Sequence, residues 1–110
     1  MDLSIIVPLY NEQESLPELT ERIAEALSGG TSYEIIFVDD GSTDASWQCI
    51  QDLRTRHSHI RGIRFRRNYG KSAALYCGFE AAQGDIVVTM DADLQDDPDE
   101  IPEMMRMINQ

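Results

Sequence analysis

The sequence predicts an α/β fold in which four mainly parallel strands alternate with helices and lie between two helical layers. Short, continuous apolar runs alternate with segments whose apolar residues recur at helical spacing. Continuous apolar runs are typical of parallel strands that are buried on both faces. No linker, internal repeat or low-complexity run interrupts the pattern, and 110 residues is the size of one ordinary domain.

The N-terminal region contains one predicted strand and one predicted helix. Residues 3–7 form an apolar strand, which we expect Pro8 to stop. The helix that follows is predicted to begin with a capping box at Ser15 and Glu18 and to end at the glycine pair 29–30. Its apolar face contains Leu16, Leu19, Ile23 and Leu27.

The middle of the chain repeats this strand and helix arrangement. Residues 34–38 form a second strand that ends at an Asp-Asp-Gly sequence, residues 39–41. Residues 42–44 supply the polar side chains that cap helices, and the helix after them is predicted to bury Trp47, Ile50 and Leu53. Residues 60–65 are predicted as a third strand, in which arginines interrupt the apolar run.

The last part of the chain contains one more predicted strand between two helices. Residues 68–70 form a turn into a helix that ends at Gly84, followed by a strand over residues 86–90. The apolar face of that helix contains Leu75, Gly78, Phe79 and Ala82. Residues 97–100 begin the last helix with a cap, a proline and an acidic first turn. Its pattern reaches residue 110 without a C-cap, which predicts a fragment of a longer protein.

The composition excludes some classes of function. The 20 Asp and Glu residues outnumber the 9 Lys and Arg residues, and a net charge of -11 argues against nonspecific nucleic-acid binding. Cys49 and Cys77 match no metal-ligand spacing and are interpreted as small buried side chains in a reducing compartment. The sequence starts without an export signal, and no apolar stretch approaches the ~20 residues that cross a bilayer. We therefore expect a cytoplasmic location for these residues.

Four polar segments are predicted to meet at one edge of the sheet. In a parallel sheet with right-handed crossovers, every loop from a strand to the next helix lies at the carboxyl edge. That edge is where open α/β folds bind their ligands. The segments that meet there are residues 10–12, 39–40, 66–71 and 91–95.

The strongest single signal is a pair of acids that follows the fourth predicted strand. Asp91 and Asp93 are separated by one residue, and two carboxylates so close are stable mainly when a cation lies between them. Mg²⁺ or Mn²⁺ bridging to substrate phosphates is the natural candidate, with the Gln95 amide as a further oxygen ligand. A surface turn is the alternative interpretation. The acids at 96, 97 and 99 are interpreted as helix-capping residues.

The other polar segments have both a local and a functional interpretation. Tyr10 offers a flat face to a nucleobase, and Glu12 and the 39–40 acids can accept hydrogen bonds from a base or a ribose. These residues can equally form turns and helix caps. Lys71 can neutralise a phosphate at a helix start, or it can simply be solvated. A P-loop is excluded, because the position of its first glycine is Phe65.

Taken together, the four segments resemble the motifs of the family 2 glycosyltransferases. Within that family the chain is most similar to the dolichol-phosphate mannose synthases and the bacterial polyprenyl-phosphate glycosyltransferases. The resemblance implies that residues 1–110 are the N-terminal, Rossmann-like nucleotide-sugar-binding part of a GT-A fold. The motifs are Pro8-x-Tyr10-Asn11-Glu12, Val38-Asp39-Asp40-Gly41-Ser42, Arg67-Asn68-Tyr69-Gly70-Lys71 and Asp91-Ala92-Asp93-Leu94-Gln95.

The resemblance also implies roles for individual residues. Those implied to line the site of the donor nucleoside are Pro8, Tyr10, Glu12, Val38 and Asp40. Those implied to meet the ribose and the diphosphate are Asp91, Ala92 and Asp93. Asp93 and Gln95 would hold Mg²⁺ or Mn²⁺, with Asp91 assisting. Those assigned loosely to the diphosphate or an acceptor phosphate are Arg67, Asn68 and Lys71.

The implied reaction is an inverting, metal-dependent transfer of a sugar from a UDP- or GDP-linked donor to an acceptor, with polyprenyl phosphate as the expected acceptor. Such a role belongs to cell-envelope glycan synthesis, with the full-length protein at the cytoplasmic face of a membrane. Any general base would lie beyond Gln110, so the fragment alone is expected to be inactive. The sequence does not specify the sugar, the nucleobase of the donor, the acceptor or the oligomeric state. The alternatives are a non-catalytic nucleotide- or metal-binding module and a receiver-like signalling domain.

Overall fold

The computed structural model describes residues 1–108. Asn109 and Gln110 lie outside the described residues, and so does the part of the predicted last helix that they form. In chain order the elements are β1 (Leu3–Leu9), α1 (Leu16–Ala26), β2 (Tyr33–Asp39), α2 (Ser46–Arg56), β3 (Ile60–Arg64), α3 (Lys71–Ala81), β4 (Ile86–Thr89), a 3-10 turn (Pro98–Glu100) and α4 (Ile101–Ile108).

The four strands form one parallel sheet in the order β3-β2-β1-β4. This arrangement confirms the predicted α/β fold of parallel strands alternating with helices. β1 is central and pairs with β2 along its whole length, from Leu3 opposite Tyr33 to Leu9 opposite Asp39. The carboxyl ends of β1 and β2 therefore lie side by side, which brings the loops after them together.

The core is divided between the two faces of the sheet. Leu3, Ile5 and Val7 point to one face, where they pack in a cluster with apolar residues of α1, α2 and α4. Ile6 points to the other face and packs with Ala74 of α3. This alternation is the period of two expected along a strand, and it produces three layers.

α3 packs closely against the sheet because its buried face is made of small residues. Ala74 and Gly78 are its fully buried positions. A Cβ built on Gly78 would lie 2.4 Å from Cγ2 of Ile6, far inside van der Waals contact. Phe79, which we predicted on the buried face, is instead 51% exposed. The reason is that the space beneath α3 admits only small side chains.

The predicted end of the first strand is wrong. β1 continues through Pro8 to Leu9 rather than stopping before the proline. Ile6 accepts a hydrogen bond from Met90 on the β4 side, whereas Leu9 accepts one from Asp40 on the β2 side. By alternation the missing N–H of Pro8 faces β4, which has already ended, so no ladder bond is lost.

The other differences concern helix ends and strand burial. Ser15 precedes α1 without the predicted capping-box bond, and α1 ends at Ala26, before the glycine pair. α3 likewise ends at Ala81 instead of Gly84. β4 is an edge strand that is covered on one face only, so Val87 is exposed. Within residues 1–108, no helix combines the length and apolar character required to cross a membrane.

Candidate functional site

The predicted loops meet around one cleft at the carboxyl edge of the sheet. Its volume is about 250 Å³. The residues that line this cleft are Pro8, Leu9, Tyr10, Glu12, Asp40, Lys71, Ala74, Asp91, Ala92 and Asp93. All four strand-to-helix connections contribute to it or border it, which confirms the convergence expected from the topology. Asp91 and Asp93 line the same cleft as Tyr10 and Asp40.

Asn11 makes several of the hydrogen bonds that hold the loops after β1 and β2 together. Its Oδ1 accepts hydrogen bonds from the backbone N–H groups of Thr43 (2.8 Å) and Asp44 (3.2 Å). Its own backbone N–H donates to Oγ of Ser42 at 2.8 Å. Asn11 adopts a left-handed backbone (φ 54°), which asparagine tolerates better than most residues. This clamp fixes Tyr10 and Glu12 next to the end of β2.

Asp40 joins the cleft to the loop before α3. Its Oδ1 accepts a hydrogen bond from the Tyr69 N–H at 2.7 Å, and its Oδ2 accepts one from the Gly70 N–H at 3.0 Å. The carboxylate is buried and lines the cleft, and its oxygens have the capacity to accept further hydrogen bonds. The same two bonds set the start of α3 and therefore the position of Lys71.

The adjacent acids Asp39 and Asp40 point to opposite faces of the sheet, so they have different roles. Asp39 is fully buried on the α2 side, where its Oδ1 accepts a hydrogen bond from the Ser42 N–H at 2.8 Å. Its Oδ2 has no hydrogen-bond partner in the described part of the chain. Asp39 thus orders the loop after β2, and Asp40 alone of the two faces the cleft.

Ser15 ties the acidic loop after β4 to the start of α1. Its hydroxyl donates a 2.6 Å hydrogen bond to the carbonyl oxygen of Ala92. Within the loop, the Asp91 N–H donates to Oδ2 of Asp96, and Leu94 adopts a left-handed backbone (φ 68°). The hydroxyl predicted to cap its own helix therefore organises the cleft instead.

Lys71 forms an ion pair across the cleft. Its Nζ lies 2.9 Å from Oδ1 of Asp91. This hydrogen bond and the negative charges of Asp91, Asp96 and Asp93 raise the pKa of Lys71 above its ordinary value. An ammonium group thus occupies the position at which the sequence predicted a cation beside the paired carboxylates.

The donor chemistry of the acidic loop fits a hard divalent cation that also binds a phosphate. Asp91 and Asp93 present carboxylate oxygens to the same cleft. Within residues 1–108, no group of three or more His, Cys, Asp or Glu side chains is arranged to hold a metal ion alone. Mg²⁺ is typically bound by only one or two carboxylates together with substrate phosphates. Two carboxylates match that requirement.

Four residues singled out from the sequence do not line the cleft. Val38 is fully buried and packs with Ile6, Ile36 and Ala74, so its side chain supports the cleft from below. Gln95 is exposed, and its role as a ligand stays a prediction. The remaining two, Arg67 and Asn68, are exposed outside the lining residues.

Two lining residues were not anticipated from the sequence. Ala74 follows Lys71 by three positions, so it lies on the same face of α3 and closes the cleft beside the lysine. That spacing was available in the sequence. Leu9 was missed because Pro8 was expected to end the strand, whereas β1 carries Leu9 into the wall of the cleft.

Comparison with known proteins identifies close sequence relatives. The profile of the family described as "Glycosyl transferase family 2" matches residues 4–110. The undecaprenyl-phosphate 4-deoxy-4-formamido-L-arabinose transferase of Pseudomonas fluorescens (strain SBW25) is 49% identical over 105 residues, which are 94% of this chain and 31% of that protein. The chain therefore spans about a third of the length of this curated relative.

Solved structures of similar fold include two glycosyltransferases in complexes. S. aureus TarS 1-349, crystallised with UDP and with UDP-GlcNAc, has a TM-score of 0.83 and 25% identity over 99% of this chain and 31% to 32% of that chain. A mannosyltransferase from Pyrobaculum calidifontis in complex with GDP-Man and Mn²⁺ has a TM-score of 0.75 and 30% identity, over 83% of this chain and 27% of that chain.

Proposed function

The chain belongs to glycosyltransferase family 2, and from this membership we propose that its cleft binds the nucleoside diphosphate of a sugar donor. Its structural neighbours are glycosyltransferases of the GT-A fold. The observation that carries the proposal is the composition of the cleft. An aromatic ring and hydrogen-bond acceptors line one part, and paired carboxylates with a lysine line another.

The nucleoside is proposed to lie against Tyr10, Glu12 and Asp40. Tyr10 is 44% exposed at the cleft, so its ring is available for stacking on a base. Asp40 has acceptor positions left after its two backbone hydrogen bonds, and these suit an N–H of a uracil or guanine, or a ribose hydroxyl. The neighbouring structures contain UDP in one case and GDP-Man in another, and the residues above suit either base.

The diphosphate is proposed to lie beside Asp91, Asp93 and Lys71. Asp91 and Asp93 would hold Mg²⁺ or Mn²⁺, which when bound offsets the negative charge that develops on the departing diphosphate. Lys71 would turn from Asp91 to a phosphate oxygen once the donor is present, because its side chain is flexible and exposed. The Ser15 bond to Ala92 keeps the backbone between the two acids fixed.

The proposed reaction is attack by an acceptor oxygen on the anomeric carbon, with inversion there and release of the nucleoside diphosphate. By analogy with the Pseudomonas fluorescens relative, the acceptor is a polyprenyl phosphate. A phosphate acceptor is already an anion near neutral pH, so it needs no strong base. No residue of the cleft is assigned as a base.

A non-catalytic nucleotide-binding module is the second candidate function. The observation that favours it is that the proposed roles of the residues lining the cleft all concern the donor, and none of these residues is assigned to an acceptor. Both candidates predict nucleotide binding, and only the first predicts sugar transfer by the whole protein. A radiolabelled sugar donor with polyprenyl phosphate would distinguish them in the full-length protein.

Calorimetric titration of the chain with UDP and GDP, each with and without Mn²⁺, tests the proposal. We expect one nucleotide to bind at least about tenfold more tightly with Mn²⁺, since a bridging cation adds a contact to both carboxylates and phosphates. Asp93→Asn should abolish this metal effect. Asp99→Asn removes the same charge from an exposed acid outside the cleft and serves as the matched control. Absence of binding by either nucleotide would overturn the proposal.

A further inference from the structure

Positive charge is concentrated in one stretch of an otherwise acidic chain. Seven of the 9 Lys and Arg residues lie in residues 53–79, and this stretch contains no Asp or Glu. It covers the end of α2, the edge strand β3, the loop after β3 and most of α3. Most of the positive charge of a chain with a net charge of -11 therefore belongs to one stretch of sequence.

Four of these seven basic residues either form ion pairs or lie at the other edge of the sheet. Arg61 pairs with Glu34, and Lys71 pairs with Asp91. Arg54 and Arg56 lie at the end of α2, which is the edge of the sheet opposite the cleft. Three arginines remain around the loop after β3, and all three are exposed: Arg64, Arg66 and Arg67. Among residues 1–108, none of the three forms an ion pair with a carboxylate.

Aromatic rings contact two of these three arginines. The guanidinium of Arg67 lies 5.0 Å from the ring centroid of Tyr69, and that of Arg64 lies 5.7 Å from the ring of Trp47. Tyr69 is 54% exposed and packs edge-on against Phe65. We call Arg64, Arg66, Arg67 and Tyr69 the basic patch.

The basic patch borders a depression with the chemistry of an anion site. The depression has a volume of about 250 Å³ and is lined by Gly41, Ser42, Arg64, Phe65 and Arg66. Two guanidinium groups and a hydroxyl are donors suited to phosphate oxygens. This depression is separate from the cleft, with which it shares no lining residue.

We propose that the basic patch docks the protein on the surface of an anionic phospholipid bilayer, with a lipid phosphate in the depression between Arg64 and Arg66. Charge complementarity argues for this partner, since three exposed arginines that form no ion pair within residues 1–108 can bind the phosphates of an anionic surface. An exposed tyrosine stacked with an arginine favours a bilayer interface, where an aromatic ring finds apolar surroundings beside water. This inference goes beyond the proposed sugar transfer and does not depend on it.

Docking through this surface would orient the cleft. The loop that carries the basic patch leads directly into Gly70 and Lys71, and Asp40 in the cleft binds the same loop through the Tyr69 N–H. The cleft would therefore open close to the lipid headgroups. The acidic loop after β4 would be repelled by the same surface, so binding should be weak and strongly dependent on salt.

Vesicle cosedimentation of the 110-residue chain tests the proposal. The vesicles contain phosphatidylcholine alone or phosphatidylcholine with phosphatidylglycerol, and emission of Trp47, next to Arg64, reports binding independently. We expect binding only to the phosphatidylglycerol vesicles, with loss at high salt. The double variant Arg66→Gln/Arg67→Gln should weaken binding roughly thirtyfold, since each basic residue near an anionic surface contributes about a factor of five.

The matched control is Arg54→Gln/Arg56→Gln, which removes the same charge from the opposite edge of the sheet. It should retain binding, and circular dichroism should show both variants folded. Equal loss in both double variants, or equal binding to both vesicles, would overturn the proposal. Binding of inorganic phosphate or pyrophosphate without vesicle binding would identify a soluble anion instead. Dimerisation abolished by Arg66→Gln/Arg67→Gln would identify a second copy of the chain, and would equally reject the bilayer.

Discussion

Lys71 lies in the part of the cleft that is proposed to bind a divalent cation and a diphosphate together. Asp91 and Asp93 line the same cleft, and the ammonium group of Lys71, 2.9 Å from Asp91, offsets part of their negative charge. A divalent cation at the same acids would compete with this ion pair. A diphosphate would receive the displaced lysine. We therefore expect binding of the cation to be coupled to release of Lys71 from Asp91.

The substitution Lys71→Met tests this exchange. We expect Mn²⁺ alone to bind several-fold more tightly, because the carboxylates lose their competing cation, while binding of the preferred nucleoside diphosphate weakens. Calorimetry measures both affinities. Arg22→Met, which breaks an exposed ion pair with Glu18 on α1, is the control and should change neither. Weaker Mn²⁺ binding in Lys71→Met would contradict the competition.

Gly41 is required for a different reason, namely backbone conformation combined with close approach. Its φ is +77°, and a Cβ there would lie 2.3 Å from the backbone carbon of Arg67. Gly30 has a similar positive φ of +105°, but a Cβ there would meet nothing within 4 Å. Alanine substitutions at Gly30 and Gly41 therefore distinguish the cost of backbone strain from the cost of steric overlap.

We predict that Gly30→Ala lowers the free energy of unfolding by about 1–2 kcal/mol, the cost of a left-handed backbone for a residue with a Cβ. Gly41→Ala should cost at least about 3 kcal/mol, because the overlap pushes apart the loops that carry Asp40 and Lys71. Urea denaturation measures both values. Equal losses would show that the close approach to Arg67 is not maintained in solution.

At the scale of elements, a buried carboxylate at the edge opposite the cleft joins β1, β2, β3 and the connection from α3 to β4. Glu34 accepts hydrogen bonds from Oγ of Ser4 (2.6 Å), from Nη1 of Arg61 (2.9 Å) and from the Gln83 N–H (2.8 Å). Burial alone would raise the pKa of Glu34. The hydrogen bonds from these three groups and the charge of Arg61 outweigh it, so its pKa lies below the ordinary value.

A lowered pKa in the folded state has a definite consequence for stability. The unfolded chain binds the proton more readily, so the contribution of Glu34 is complete above the ordinary glutamate pKa of about 4.3 and is lost as pH falls through the folded pKa. We predict that Glu34→Gln lowers the free energy of unfolding by about 2 kcal/mol near pH 7. The loss is limited because Arg61 is partly exposed, so water can solvate its charge once the carboxylate is gone. Below about pH 4 the difference should shrink. Glu18→Gln, at an exposed ion pair, should cost less than about 1 kcal/mol. Urea denaturation at both pH values measures this, and a pH-independent difference would contradict it.

The order and type of the elements follow from local patterns, whereas several of their ends depend on tertiary contacts. The apolar runs that became β1, β2 and β4 were visible in the sequence, as was the face of α1 that contains Leu16 and Ile23. The extension of β1 past Pro8 depends on where β4 ends, which no local signal specifies. The hydroxyl of Ser15 likewise bonds Ala92, 77 residues away, rather than its own helix.

At the scale of the molecule, the position of the cleft was predictable because parallel topology alone collects the loops at one edge. The direction of individual side chains was less predictable. Asp39 and Asp40 are identical in chemistry, and only the alternation of side chains along β2 directs one into the core and the other into the cleft. Val38 lies on the same face of β2 as Asp40, but it is fully buried against Ala74 and therefore lies beneath the cleft. Motif resemblance locates such a site to within one residue, and strand alternation decides which residue faces it.

The roles proposed for the cleft residues all concern donor binding, and none of these residues is assigned to holding an acceptor or removing a proton. We therefore predict that the chain binds its nucleoside diphosphate but does not transfer sugar. With Mn²⁺ and nucleotide at about 100 times the dissociation constant, binding to the folded state should stabilise it by ~2.7 kcal/mol, which raises the midpoint of thermal unfolding by roughly 10 °C or more. A labelled donor with polyprenyl phosphate should give no labelled lipid product beyond background. Asp40→Asn should remove most of the thermal shift, whereas Asp99→Asn should keep it. Appreciable transfer by the chain alone would show that these 110 residues contain an acceptor site that the cleft described here does not explain.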